Sequence, residues 1–435
     1  MQVFPVGSIT DDPLTMKEAP KSKKTRLMFF STLVIVTTVW LILWTTSPDH
    51  GHLTWQEDVS STPALCHPST IREVQPTLHN NCTAGCCPQH RIVFIKTHKT
   101  ASSTTASILE RYGYRHNLSF AVRPAGHIIA QNVLFHRSLV ADFESSTKNS
   151  CSNDDGGFDM LTNHARYNRP EMEAVVHHAK YLTILREPTA QFESAFGYFH
   201  VAEKLGLSRY DNPIEEFMKN PETYLNMRTF DYYWQSMKNQ QLFDLGLDHK
   251  DHDDEYIVDY KIQTLEKELD LVMLTEYFPE SIVLLKKLLC WDFDDMLYMS
   301  NGVRSKSLRY SITPELRAKI RNWNCADAKL YDHFNQTFWK RVKEYGPEFD
   351  KDLATFLRKQ KELENECIDL SATQDMSREI VYHLKSNAST RCKDILRGDV
   401  DYTTLIQDRM RENGQLSSKF SFTYLRDVYN SIFPV

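Results

Sequence analysis

Ten consecutive residues, KTHKTASSTT (96 to 105), hold two lysines, one histidine and six hydroxyl side chains. They stand between an apolar run, Ile92 to Ile95, and the segment ASILERYG, in which Ile108, Leu109 and Tyr112 share one helical face. That pattern predicts a strand, a polar turn and a helix N-terminus, with Gly113 stopping the helix. The first amides of such a helix have no intrahelical partner and sit at the positive end of its dipole, so the turn is suited to a phosphate. The candidate anion ligands are Lys99, Thr100, Ala101, Ser102, Ser103 and Thr104, with Thr105 as a further hydroxyl and Lys99 as the mobile positive charge. Nucleotide kinases place a lysine in a comparable turn but wrap the phosphates with glycines, and this turn has none.

A second turn of the same kind follows Tyr181 to Leu185, where Arg186 ends the predicted strand and Pro188 suits the first turn of a helix. Phe192, Ala195, Phe196 and Phe199 form a stripe expected to face the sheet, and Ser194 lies nearly opposite it. A kinase would place a magnesium-binding aspartate at such a strand end, whereas this strand ends in a phosphate-binding residue type.

The wording VFIKTHKTASST, together with ILREP, FESAF, LTEYFPESIVLLKKLLCW and FNQTFW, resembles the galactose 3-O-sulfotransferase family over about residues 91 to 345. The resemblance implies a P-loop-like sulfotransferase fold that binds 3′-phosphoadenylyl sulfate. The lysine turn would take the 5′-phosphosulfate, and Arg186 with Ser194, spaced Arg-x7-Ser, would take the 3′-phosphate. It further implies transfer of sulfate to the 3-hydroxyl of a terminal β-galactose on a galactosylceramide-like glycolipid or a glycoprotein glycan, and places Lys96, His98, Lys99 and His164 at the reacting centre. Sulfuryl transfer needs a base for the hydroxyl proton and positive charge on the sulfonate and the leaving oxygen. Lys99 is the candidate for the charge. His98 is the first candidate for the base, because two flanking lysines are expected to favour its neutral form; His164 is the rival base or a substrate-orienting group.

The remaining sequence says how such a centre would be mounted. Residues 91–350 alternate short apolar runs, including Leu269 to Leu274, with helical-period segments, which predicts an α/β fold with a central parallel sheet flanked by helices. Ahead of it, Leu27 to Trp44 is an 18-residue run without a charge, preceded by five basic residues, the pattern of a transmembrane signal anchor with a cytosolic tail at 1–26. Residues 45–90 read as a luminal stem and 351–435 as a charged, helical C-terminal extension without strand signals. A single-pass type II protein of the Golgi membrane follows, with its catalytic domain in the lumen. Sequons at Asn81, Asn117, Asn335 and Asn387 agree with that placement, as do nine cysteines beyond the anchor, an odd number that leaves at least one unpaired in a monomer. Cys82, Cys86 and Cys87 are read as stem disulfides rather than a zinc site.

With 51 basic against 57 acidic side chains and a formal charge of −6, no overall cationic field exists to gather nucleic acid. The hydrophobic share of 41% is enough for a sizeable core, which excludes global disorder. Asp251-His252-Asp253, inside the acidic run 248 to 255, has the DxD form used by metal-dependent type II glycosyltransferases. That enzyme class is the alternative, and a luminal sugar-binding protein without activity is a third; in so acidic a run a solvated loop is the expectation, and the residues seen require no metal. Trp291, Trp323 and Trp339 are expected in packing roles, and Glu276, just beyond the Leu269 to Leu274 strand, faces the cleft in this reading. Homo-oligomerisation is left open by these residues.

Overall fold

The computed structural model describes residues 86–140, 157–226, 236–299, 303–304, 309–369, 374–375 and 379–416. The expected anchor, nearly all of the stem and Asn81 lie outside the described residues. Among the described residues no helix is long and apolar enough to cross a membrane.

The central sheet is parallel, four strands in the order β3-β1-β5-β6, from β1 (Ile92–Ile95), β3 (Met160–Leu161), β5 (Lys180–Leu185) and β6 (Leu271–Leu274). Every residue of β1 and β6 is buried, which is why these strands read as unbroken apolar runs: helices cover both faces. Those helices include α1 (Ser102–Arg115), α5 (Phe278–Leu289) and α7 (Cys325–Tyr345), the last two packing on β6. The α/β fold with a central parallel sheet is as expected. A parallel pair, β2 (Ile128–Leu134) with β4 (His164–Arg166), lies beside it. Between β5 and β6 come α2 (Pro188–Tyr198), α3 (Gln240–Asp244) and α4 (Glu255–Glu268), and α6 (Pro314–Trp323) precedes α7.

Three expectations change. Gly113 does not stop α1, which runs on to Arg115; a β-carbon there would lie 2.5 Å from Met160 Sδ and from Phe120, so the glycine permits a close approach to the sheet rather than a helix end. The α2 stripe of Phe192, Ala195, Phe196 and Phe199 is buried, but in a second core with Ile214, Phe217, Met237, Leu316 and Ile320 rather than against the strands. The C-terminal segment also contains strands: β8 (Gln374–Asp375) and β9 (Glu379–Val381) form an antiparallel sheet with β7 (Val303–Arg304). These are too short to produce a readable alternation.

After α8 (Glu348–Cys367), the chain continues through α9 (Thr390–Leu396) and α10 (Asp399–Glu412), and α10 packs along α1. Tyr402, Ile406 and Met410 of α10 belong to the same core as β1. Disulfides join Cys86 to Cys290 and Cys367 to Cys392, so Cys86 is in a disulfide as expected, with its partner in the folded domain: the bridge staples the chain entering the domain to the end of α5. Cys325 is free and exposed. Trp291 stacks on Tyr112 with ring centroids 3.4 Å apart and donates to Gln89 O, a packing role as expected. Trp323 likewise donates to Met237 O, whereas Trp339 is 41% exposed.

Candidate active site

The turn between β1 and α1 is built without glycine, yet it adopts glycine-like backbone. Lys99 (φ 62°) and Ala101 (φ 63°) are both left-handed, a conformation that costs a residue with a β-carbon about 1–2 kcal/mol. Hydroxyl bonds inside the turn hold it there. Thr97 Oγ1 donates to Ile184 O on the neighbouring strand, Thr100 Oγ1 lies 2.8 Å from Thr97 Oγ1, and Ser102 Oγ donates to Thr97 O at 2.6 Å. Thr275, just past β6, donates to Thr100 O at 2.6 Å and to Leu185 O at 3.0 Å. Thr100, Ser102 and Thr105 are buried, so of the expected hydroxyl ligands Ser103 and Thr104 are the accessible ones.

The N-cap of α1, Ala101, supplies no side-chain cap. The first helical bonds run from the amides of Thr104 and Thr105 to Ala101 O, which leaves the amides of Ser102 and Ser103 ahead of the ladder at the positive end of a 14-residue helix. An anion completes such an end, and that is the fit expected for a phosphosulfate.

The second turn meets the first directly. Arg186 follows β5, and its Nη1 donates to Lys99 O at 3.1 Å, while its backbone N–H and C=O are both bonded to the Gln241 side-chain amide. Lys99 Nζ in turn lies 3.5 Å from the ring centroid of Tyr198, at the end of α2. Ser194 is half-buried on α2, one turn before Tyr198. Unlike α1, α2 is capped: the Glu187 carboxylate accepts from Ala190 N and is also paired with Arg317 and Arg321 at 3.0 Å each. Glu276 anchors this turn by accepting from Glu187 N and from the Tyr331 hydroxyl, both at 3.0 Å.

His98 is held by a residue that the sequence did not single out. Asp244, at the end of α3, accepts from the backbone N–H of His98 at 2.8 Å and lies 2.9 and 3.0 Å from its Nδ1. A carboxylate at Nδ1 selects, in a neutral imidazole, the tautomer with its proton on Nδ1 and its lone pair on Nε2, the arrangement that orients a general base. Gln240 Nε2 donates to Asp244 Oδ1 at 2.9 Å, and Gln191 Nε2 to His98 O at 3.2 Å. The α3 helix is itself docked from below by Asp327 of α7, whose carboxylate accepts from the amides of Gln241 and Leu242; burial pushes Asp327 up to about 7 against those bonds. The expected electrostatic partner of His98 was the lysine pair, but the partner in contact is a carboxylate.

His164, the first residue of β4, stacks on His98 with ring centroids 4.5 Å apart and planes inclined by 22°. Burial, and then the charge of Lys96 and the neighbouring His98 and His127, hold its imidazole well below the ordinary histidine range, so it is neutral at pH 7. The structure therefore brings both candidate histidines together.

Lys96 does not reach the turn's open face. Its side chain is 4% exposed, and its ammonium is paired with Asp399 at the start of α10. Beside this pair lies Glu110 of α1, fully buried. Burial and then the Asp399 carboxylate raise its pKa well above the carboxylate range, with Lys96 and a bond from Thr162 opposing. Lys96 thus points into the buried side of the turn, where Asp399 takes its charge, in contrast to the partly exposed Lys99.

The acidic run 248 to 255 is a clasp around α3 and α4. Asp248 pairs with Arg166 at 2.9 Å, Asp253 takes Lys238 Nζ at 2.9 Å, and Asp254 caps α4 through Ile257 N. His249 stacks on Phe243 and His252 is buried with Nε2 3.1 Å from Leu247 O, so the run is more integrated than the solvated loop expected for it.

Comparison with known proteins agrees in one direction. The sequence profile described as galactose-3-O-sulfotransferase matches residues 14–409. The chain is 37% identical over 317 residues to a galactosylceramide sulfotransferase of Bos taurus, covering 71% of this chain and 72% of that protein. It is 33% identical over 371 residues to a galactosylceramide sulfotransferase of Homo sapiens, with 79% and 85% covered. A galactose-3-O-sulfotransferase 3 of Mus musculus is 37% identical over 259 residues, with 59% and 58% covered.

Proposed function

The chain belongs to the galactose-3-O-sulfotransferase family, and on that premise we propose that it transfers the sulfuryl group of 3′-phosphoadenylyl sulfate to the 3-hydroxyl of a terminal β-galactose. The observation that carries this reading is the meeting of three features at one edge of the sheet: the uncapped N-terminus of α1, Arg186 bonded to Lys99 O, and His98 oriented by Asp244. The acceptor class is a galactose-terminated glycolipid or glycan. The names of the relatives, galactosylceramide sulfotransferase and galactose-3-O-sulfotransferase, support that class.

The α1 amides with Ser103 and Thr104 hold the 5′-phosphosulfate, and Arg186 with Ser194 holds the 3′-phosphate. His98 Nε2 takes the proton of the galactose 3-hydroxyl as the new oxygen–sulfur bond forms. The bond from sulfur to the bridging phosphate oxygen breaks, and Lys99 with the α1 amides carries the charge that develops there. The products are the 3-sulfated galactoside, adenosine 3′,5′-bisphosphate and a proton on His98. His164, neutral and stacked on His98, orients the sugar. No residue is assigned to a metal, and Asp253, engaged by Lys238, is given no catalytic part.

The same reading takes the chain as a type II protein of the Golgi membrane, anchored by 27–44. The disulfides Cys86–Cys290 and Cys367–Cys392 and the exposed sequon residues Asn117 and Asn387 suit an oxidising lumen, whereas Asn335 lies within α7 and is a poor glycan acceptor.

The test is transfer of labelled sulfate from 3′-phosphoadenylyl sulfate to a panel of β-galactosides, with binding of adenosine 3′,5′-bisphosphate measured alongside. His98→Ala is expected to lower turnover by about 10²-fold or more while bisphosphate affinity stays nearly intact, because a base touches the acceptor rather than the nucleotide. Turnover kept in His98→Ala and lost in His164→Ala would move the base to His164. A wild-type protein that consumes a nucleotide sugar with manganese and ignores the sulfate donor would end the reading.

A further inference from the structure

The helix α10 carries two buried stripes with different chemistry. Tyr402, Ile406 and Met410, spaced by four, are apolar and 1% exposed each, and they fasten the helix into the main core. Asp399, Thr403 and Gln407, also spaced by four, are polar and only 8%, 2% and 5% exposed. The spacing puts the three on one face over about 12 Å. Burying polar side chains is unfavourable unless each finds a partner, so an apolar stripe here would have packed the helix at least as well.

Their partners share one property. Asp399 holds Lys96, the residue before the Thr97–His98 turn. Thr403 Oγ1 accepts from Asn163 Nδ2 at 2.8 Å, and Asn163 directly precedes His164. Gln407 Nε2 donates to Arg123 O at 3.0 Å and Gly126 O at 2.8 Å, fixing the turn that ends at His127. Arg411 continues the stripe to the surface with a bond to Pro124 O at 2.8 Å. His127 lies close enough to Lys96, Asp399 and His164 for their charges to act on one another. Asp399 therefore grips Lys96 itself, and Thr403 and Gln407 grip segments that directly precede His164 and His127.

Of these segments, the one carrying His164 meets the candidate base directly, its ring stacked on His98 with centroids 4.5 Å apart. In-line transfer brings the attacking hydroxyl to the base, opposite the leaving phosphate, so a ring stacked on His98 is placed to meet the galactoside. We infer that Thr403 and Gln407 of the C-terminal helix are positioning residues for the acceptor, setting the placement of His164 and His127 through Asn163 and the Arg123–Gly126 turn. This rests on the sulfuryl-transfer reading. It also gives the C-terminal extension a part in catalysis that its charged, motif-free sequence does not announce.

The experiment uses the full chain and compares Thr403→Val and Gln407→Met, which keep volume but lose the hydrogen bonds, with Ile406→Ala, which weakens the apolar stripe. Thr403→Val and Gln407→Met are expected to raise the galactoside KM about fivefold and lower kcat about tenfold, with adenosine 3′,5′-bisphosphate affinity changed less than twofold. Thr403→Ser is expected to restore both constants. Ile406→Ala is expected to lower Tm while leaving the kinetic constants of the folded protein near wild type. Equal losses of donor and acceptor affinity, or kinetics that follow Tm alike in all three variants, would overturn the inference, as would full activity in Thr403→Val and Gln407→Met. Should the polar variants fail to fold, Thr403→Ala and Gln407→Leu, which remove the same side-chain hydrogen bonds with smaller apolar groups, are read the same way. Wild-type protein that sulfates no galactoside would overturn the functional reading instead, a result separate from any variant.

Discussion

The two strand–turn–helix units of the site look alike in sequence and work differently. The turn ahead of α1 leaves its helix end uncapped and holds Lys99 and Ala101 in left-handed backbone, so the amides themselves are presented. The turn ahead of α2 is closed by the Glu187 carboxylate, with Pro188 removing a further donor, and Glu187 is neutralised by Arg317 and Arg321. An anion at the first turn meets backbone N–H groups and a helix dipole; at the second it meets a carboxylate. The second turn can bind a phosphate only through side chains, Arg186 and Ser194. In the proposed reading one unit reads a phosphate by backbone and the other by guanidinium, and the bond from Arg186 to Lys99 O links them.

The largest effect is expected at the first turn. Lys99→Ala should lower turnover by about 10²-fold or more, because it removes the charge that the proposed mechanism sets against the sulfonate and leaving oxygen, and should also weaken the donor complex. The assay is single-turnover sulfate transfer with Tm as a fold check. A variant that binds donor weakly yet transfers at the wild-type rate once saturated would make Lys99 a binding group only.

A smaller and more selective effect is expected at the second. Arg186→Ala should weaken adenosine 3′,5′-bisphosphate by about 1.5–3 kcal/mol, the loss of a hydrogen bond to a charged group, with little change for adenosine 5′-monophosphate. Calorimetry on both nucleotides reads the difference. Equal losses would mean that Arg186 acts by shaping the Lys99 turn rather than by reading the 3′-phosphate, and the contrast between the two units would collapse into one.

What the sequence disclosed follows from how local each signal is. The turn residues 96 to 105, β1, β5 and Arg186 were legible because a strand, its turn and the next helix are contiguous, and their apolar runs and hydroxyl clusters stand next to one another in the chain. Asp244 was not legible: it is 146 residues from His98, in an ordinary NQQLFDLG segment, and only the docking of α3 makes it the partner of Nδ1. Asp399, 303 residues from Lys96, was hidden the same way, and so was the polar stripe of α10, since Asp, Thr and Gln at a spacing of four suggest a solvated face. The α2 stripe was recognised as buried but assigned to the wrong partner, because periodicity reports that a face is covered and not what covers it. Gly113 was read as a helix stop, when its lack of a side chain serves a contact with Met160 and Phe120.

The finest test of the contrast changes the residue at the same position of both turns. Ala101 and Glu187 are the two N-caps, but Ala101 has φ 63° and Glu187 φ −50°. Glycine reaches left-handed backbone without the steric cost that alanine bears, so Ala101→Gly should be stabilising by up to about 1 kcal/mol, less whatever the freer unfolded chain takes back. Glu187→Gly gains nothing from its backbone, and loses the cap on Ala190 N together with the partner of Arg317 and Arg321, a destabilisation of about 1 kcal/mol. The two substitutions are therefore expected to move Tm in opposite directions, upward at Ala101 and downward at Glu187. Because the first turn presents amides, Ala101→Gly should leave the geometry of the α1 N-terminus available and keep donor-product affinity, with at most a small loss from greater freedom before binding. A fall in Tm for Ala101→Gly would show that the left-handed turn is held without strain and that its packing, not its backbone, sets the anion site apart from its neighbour.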